Sequence, residues 1–337
     1  MSEEIMLAVE TSCDETAAAV LRGSRELLAN IVSSQIDVHK VFGGVVPEIA
    51  SRHHLEQVNR LIDLALSEAG IDFSRLTAIA VTYGPGLVGA LLVGVSTAKA
   101  LAYSLKLPLV GVNHMEGHIY ANWLAHAELE FPLLCLIVSG GHTALVLMKD
   151  HGKYELLGQT IDDAVGEAYD KAARALGLGY PGGPLLDKLA REGNPEALQL
   201  PRAWLSRDSF DFSFSGLKTA VLNHLNHAAQ KNEPVHKADL AASFQASVIE
   251  VLTEKTISAA QKYDLKSVLL AGGVAANSLL RVRLRDRCTE EGMRLFVPPL
   301  EYCTDNAAMI ACAGYYRFKQ GHTADWTLNA VPNLKLI

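Results

Sequence analysis

The chain has 337 residues, 49% of them hydrophobic and 20% charged, and 30 Lys+Arg against 37 Asp+Glu leave a formal charge of −7. At roughly 100–200 residues per domain this length predicts two domains with full cores, and the apolar content with 26 glycines excludes a disordered polymer in favour of turn-rich, buried sheets. An acidic balance gives no global basic field for nucleic acid or membrane, so a nucleic-acid role must rest on a local patch or a partner.

The N-terminus MSEEIMLAVE carries acids where a secretory signal carries basic residues, and the five cysteines (Cys13, Cys135, Cys288, Cys303, Cys312) are scattered, with no C-x-x-C pair. Both features predict a cytoplasmic protein with reduced thiols. The first strand is expected at 5–9, opening a hairpin over 5–20 (IMLAVETSCDETAAAV) whose tip gathers Glu10, Thr11, Ser12, Asp14 and Glu15. Carboxylates so placed suit general-base or cation-positioning work, although a solvated acidic turn has the same composition. A helix is expected at 52–69. Residues 76–98 carry no charge and are long enough to span a bilayer, but Gly84-Pro85-Gly86 breaks the run. It reads as a strand at 77–82, a loop, and a helix at 89–104, with no membrane span.

His114-Met115-Glu116-Gly117-His118 follows, with imidazoles at i and i+4 on one helical face, where they can share a metal. A zinc protease of the H-E-x-x-H type needs its glutamate directly after the first histidine, whereas Glu116 is turned to the opposite face. Asp305 is the choice for a third ligand; Thr304-Asp305 also suits a cap on the helix expected at 306–319. A second hairpin, with strands at 133–138 and 144–148, has Val138-Ser139-Gly140-Gly141-His142-Thr143 at its tip, and the strand at 267–270 leads into Gly272-Gly273-Val274-Ala275-Ala276-Asn277. Such turns let backbone amides approach a phosphate, yet neither matches the Rossmann or P-loop fingerprint, and plain tight turns remain the simpler reading.

A helix expected at 162–176 places Asp163, Glu167 and Asp170 on one face, ahead of Tyr180-Pro181-Gly182-Gly183-Pro184 and Asp187. A carboxylate beside glycines suits ribose hydroxyls; a solvated helix face is the alternative. Another helix is expected at 238–263. Arg281, Arg283, Arg285 and Arg287 spread around a helix and read as a solvated surface, with phosphate contact the minority reading. Alternating strands and helices predict an α/β fold with largely parallel sheets, and the two hairpins suggest a duplicated, two-lobed chain with a cleft.

Taken together, residues 9–16, Tyr83 to Leu87, 113–118, 138–143, 211–218 (DFSFSGLK), 271–277 and 303–306 occur in one order, and the chain resembles the TsaD family of tRNA adenosine threonylcarbamoyltransferases, relatives of the KEOPS catalytic subunit, from end to end. The resemblance implies the ASKHA fold of actin, sugar kinases and Hsp70, two lobes with duplicated mixed sheets and a nucleotide cleft. It implies lobes at 1–112 plus 306–337 and at 113–305, the latter carrying most of the site. His114, His118 and Asp305 would hold an iron or zinc ion. Ile137, Val138, Ser139, Gly140, Gly141, Asp170, Gly183, Asp187 and Asn277 would surround threonylcarbamoyl-AMP, with Asp14 or Glu15 accepting a proton. The implied reaction passes the threonylcarbamoyl group to N6 of the adenosine 3′ of the anticodon in tRNAs reading ANN codons and releases AMP. Implied partners are tRNA, a TsaB-like paralogue contacted by N-terminal helices such as 52–69, and a TsaE-like P-loop ATPase.

Competing readings are a metallopeptidase, which rests on His114 and His118 alone, a nucleotide-binding scaffold or chaperone, and a sugar kinase, for which no sugar pocket is legible.

Overall fold

The computed structural model describes residues 4–205 and 209–337. In chain order the elements are β1 (Ile5–Glu10), β2 (Glu15–Arg22), β3 (Glu26–Ser34), α1 (Ile36–Lys40), α2 (Pro47–Glu68), β4 (Ala78–Gly84), α3 (Val88–Leu105), β5 (Leu109–Asn113) and α4 (His114–Ala125). Then come β6 (Leu133–Val138), β7 (Thr143–Asp150), β8 (Lys153–Gln159), α5 (Val165–Ala175), α6 (Gly182–Ala190), α7 (Ser215–Lys231), α8 (Lys237–Lys262), β9 (Ser267–Ala271), α9 (Ser278–Glu290), β10 (Arg294–Phe296) and α10 (Ala307–Lys319). They form two compact units, Met1–Leu129 with Pro298–Ile337, and Glu130–Val297. The expected boundaries at 112/113 and 305/306 therefore move. His114, His118 and Asp305 belong to the first unit rather than the second, because α10 returns to pack on α4, β1 and β2.

The first unit is built on the sheet β3-β2-β1-β4-β5 and the second on β10-β9-β6-β7-β8. Read from its other edge, the second order repeats the first strand for strand. In each, a three-stranded antiparallel meander continues into two parallel strands. The sheets are thus mixed rather than largely parallel, since each hairpin contributes antiparallel pairs. The hairpins correspond: β1 and β2 pair up to Glu10 opposite Ala17, and β6 and β7 up to Val138 opposite Thr143.

β1 and β6 are buried at every position, as central strands covered on both faces must be, which explains their unbroken apolar runs. α3 is the one helix among the described residues long and apolar enough to cross a membrane. It packs on β4 and α2 and contributes Val93, Val95, Ala98 and Ala102 to the first core, so the uncharged stretch is core strand, loop and helix. α2 starts at Pro47, five residues before its expected start, with the proline in the first turn where its missing N–H costs nothing. α5 starts only at Val165, because the Asp162 carboxylate accepts from the Phe214 backbone N–H (2.8 Å) and the Ser215 hydroxyl (2.7 Å), capping α7 instead. The structure adds β3, β5, β8, β10, α1, α6 and α7 to the expected elements.

Candidate functional site

Three residues of the first unit converge. His114 opens α4 directly after β5, and Asn113 caps that helix, its Oδ1 accepting from the Met115 N–H (2.8 Å) and the Glu116 N–H (3.4 Å). The i, i+4 spacing stacks the His114 and His118 rings edge to face with centroids 4.7 Å apart. Asp305, in the turn before α10, brings Oδ1 to 3.4 Å from His114 Nε2 and 3.2 Å from His118 Nε2. One ligand atom from each residue lies within 4.8 Å of the others. Asp305 is not the helix cap: Asn306 is, accepting from the Met309 N–H at 2.9 Å. The Asp305 carboxylate is left to the imidazoles.

The donor set fits a divalent cation. His118 is buried, and among the described residues neither of its ring nitrogens has a hydrogen-bond partner, although Nε2 faces Asp305. A buried nitrogen left so is costly unless something takes its lone pair, and two imidazoles with a carboxylate suit iron, zinc or manganese. The Asp305 side chain remains 20% exposed, so the centre is open on one side. Glu116, by contrast, is turned away and paired with Arg317 Nη1 at 3.1 Å, so it is no peptidase base.

Glu10, the last residue of β1, is fully buried behind His114. Its Oε2 lies 3.2 Å from His114 Nδ1, as does the Ser12 hydroxyl, and its two oxygens also accept from the Ser12 N–H (2.5 Å) and the Thr82 hydroxyl (2.5 Å). Burial alone would raise the Glu10 and Asp305 pKa values, yet the His114 imidazole holds both carboxyls below their usual range, while Asp305 and Glu10 hold His114 well above its own. Sequence reasoning named Glu10 only as one acid of the turn. A charged residue closing a wholly buried strand was the available signal.

The tip between β1 and β2 presents Asp14 and Glu15 beside this centre. Burial, then the charges of Asp305 and Asp14, pushes Glu15 up to about 9, and the two carboxyls share a hydrogen bond. The turn is seated from both sides. The Leu87 N–H donates to the Ser12 carbonyl at 2.8 Å, an approach only Gly86 permits, since a Cβ there would stand 2.5 Å from that oxygen. From α2, His54 Nε2–H donates to the Cys13 carbonyl (2.9 Å) while Nδ1 pairs with the Thr16 hydroxyl (2.8 Å).

The nucleotide candidates all lie in the second unit. Ile137 and Val138 end β6, and Ser139, Gly140 and Gly141 form the turn to β7, with open space where side chains of the two glycines would stand. Gly272, at φ +92°, lets the β9 turn approach Val138, whose carbonyl would be 2.4 Å from a Cβ. Asp170 accepts from the Gly182 N–H at 2.8 Å and so ties α5 to the first turn of α6, which holds Gly183. Asp163 and Glu167 do not share that role: both pair with Lys171, at 2.6 and 2.7 Å, and Asp163 precedes the helix.

Asp187 and Asn277 meet through Gln245 of α8, which sequence reasoning missed. Gln245 Nε2 donates to Asp187 (3.1 Å), and its Oε1 accepts from Asn277 Nδ2 (2.9 Å) and the Tyr169 hydroxyl (3.4 Å). The Ser278 hydroxyl and Arg191 complete the Asp187 environment. In the arginine run, Arg287 binds Glu254 and Glu290 and Arg281 donates to the Ala275 carbonyl, so these two stabilise α9. All five cysteines are free thiols.

A chain of two units, each built on the same mixed five-stranded sheet, has the ASKHA fold class. Solved structures agree on the fold: full-length HypF in its phosphate- and nucleotide-bound form (TM-score 0.62, 15% identity, 96% of this chain and 47% of HypF) and T. kodakarensis HypF (TM-score 0.65, 15% identity, 95% and 49%). The family model for TsaD, tRNA N6-adenosine threonylcarbamoyltransferase, matches residues 26–312. Curated proteins of that name are 58% identical in Clostridioides difficile (100% of this chain, 99% of the relative) and 60% identical in Geobacillus kaustophilus (100% and 98%). The chain belongs to the TsaD family.

Proposed function

We propose that this chain transfers the threonylcarbamoyl group from threonylcarbamoyl-AMP to N6 of the adenosine 3′ of the anticodon in tRNAs reading ANN codons. The observation that carries this reading is end-to-end similarity, 58–60% identical, to proteins named for that reaction; the convergence of His114, His118 and Asp305 gives it a chemical centre. The adenine amine is a weak nucleophile, its lone pair being delocalised into the ring, so the acyl donor must be activated. As a mixed anhydride it is: the N6–carbonyl carbon bond forms, the bond from the carbonyl carbon to the phosphate oxygen breaks, AMP leaves with the electron pair, and one N6 proton must be taken up.

His114, His118 and Asp305 would hold the iron or zinc ion, which when bound supplies a Lewis acid and a template for donor oxygens. For the proton we assign Asp14, because Glu15, pushed up to about 9 by burial and neighbouring carboxylates, keeps its own proton. Asp14→Ala is expected to keep adenylate binding and lose transfer; wild-type transfer rates in that variant would exclude the role. In the second unit, Ile137 to Gly141 and Gly183 offer backbone amides and open space for the adenylate, Asp170 holds the Gly183 turn, and Asp187 and Asn277 offer a carboxylate and an amide for the ribose. Arg191, 63% exposed, is the Asp187 partner that a ribose hydroxyl could displace.

The net charge of −7 favours tRNA capture with a partner's help. For the TsaB-like paralogue we assign the face of α2 and α3, where Leu55, Val88 and Leu92 are exposed, as are Val41 and Phe42 after α1. A TsaE-like ATPase and a cytoplasmic location complete the proposal. The test is nucleoside mass spectrometry of tRNA from cells depleted of this protein. Threonylcarbamoyladenosine should vanish and return with the wild-type gene but not with His114→Ala/His118→Ala. Unchanged levels in cells without a second copy would overturn the proposal.

A further inference from the structure

We infer that Glu10 is a positioning residue that fixes the tautomer of His114, so that the Nε2 lone pair faces the metal centre. The inference rests on the reading of His114, His118 and Asp305 as metal ligands. Glu10 is fully buried, and its carboxylate receives two donors with fixed places: the Ser12 backbone N–H on Oε1 and the Thr82 hydroxyl on Oε2, each at 2.5 Å. An ionised carboxylate only accepts, so the group facing it at 3.2 Å, His114 Nδ1, must carry the proton. A histidine that ligates a metal is neutral and has one N–H. Its other nitrogen, Nε2, is then an open lone pair, and it is the atom turned toward Asp305. His118 differs. Its Nδ1 is buried and has no hydrogen-bond partner among the described residues, so nothing comparable fixes its tautomer. The two ligands are therefore unequal, with His114 the pre-oriented one.

Glu10→Gln inverts this arrangement while preserving shape. The Ser12 N–H requires an oxygen at the Oε1 position, so the amide nitrogen falls beside His114 Nδ1 and donates to it. The imidazole proton then moves to Nε2, which blocks the ligand atom. Ser12→Ala removes the other Nδ1 neighbour (3.2 Å) but leaves the carboxylate in place.

The experiment measures Zn²⁺ affinity of the full chain by competition with a chromophoric chelator, alongside thermal unfolding of each metal-free variant. Wild type should bind one equivalent; Glu10→Gln should bind about 10- to 100-fold more weakly, the range seen when a partner of a metal-bound histidine is removed. Ser12→Ala should stay within about threefold of wild type, and all three should unfold cooperatively without metal. A second readout does not use Glu10→Gln: in histidine-¹⁵N-labelled, zinc-loaded wild type, the signal that is lost in His114→Gln should show a protonated Nδ1. If wild type binds no zinc, the metal centre itself is wrong and the inference falls with it. If wild type binds but Glu10→Gln matches it, or His114 carries its proton on Nε2, the centre stands and the role of Glu10 is refuted. Should Glu10→Gln fail to fold, the nitrogen spectrum decides alone.

Discussion

Replacing Gln245 by leucine keeps side-chain volume and deletes a buried junction. The amide makes three bonds in the second unit, to Asp187 (3.1 Å), Asn277 (2.9 Å) and the Tyr169 hydroxyl (3.4 Å). Each buried polar partner left unpaired costs about 1–3 kcal/mol, more where the partner is charged. Compensation is partial: Asp187 keeps Ser278 at 3.0 Å and Arg191 at 2.8 Å, and Asn277 keeps a long contact of 3.5 Å to Tyr169. Taking the lower part of the range for three coupled groups gives a loss of about 3–5 kcal/mol. Urea unfolding followed by a probe in the second unit should show a midpoint lowered by that loss divided by the slope, with the slope unchanged. Because Asp187 and Asn277 lose a common brace, a stable adenylate analogue should bind at least tenfold more weakly, with zinc binding in the first unit unchanged. A stability loss under about 1 kcal/mol would refute the claim that these residues form one network.

Two further substitutions address the first unit. Glu116→Gln should cost about 1–3 kcal/mol of stability, discounted because Arg317 is 30% exposed, and should leave metal binding and transfer intact; loss of activity at full metal content would restore a catalytic role for this glutamate. Burial depresses the His54 pKa against the raising effect of its bond to Cys13, so its stabilising contribution is complete above the unfolded value near 6.5 and is lost as pH falls through the folded one. The stability difference between wild type and His54→Gln should therefore shrink between about pH 7.5 and 5 in thermal unfolding, and a difference that grows would reverse the sign argued for His54.

The hairpins, the main helices and the separation of the uncharged stretch into strand and helix were legible because apolar periodicity and Gly-Pro breaks act within a few residues. The i, i+4 histidines were legible for the same reason, and their spacing alone disqualified Glu116. Asp305 was nominated from its residue type, but only the return of α10 to the first unit brings it to the imidazoles, and only Asn306 taking the cap frees its carboxylate. The strand-for-strand match of the two sheets, suggested by the hairpins, needed the pairings at their far edges. Gln245 stayed hidden, and so did the place of Glu10 behind His114. A lone glutamate ending a strand and a glutamine within a long helix gain meaning only from partners distant in sequence, across 104 residues to His114 and 58 to Asp187. Local sequence set the elements because propensity and periodicity are short-range. Tertiary packing set the chemistry of the centre, because whether a buried carboxylate orients a histidine depends on which groups the fold brings within hydrogen-bonding distance.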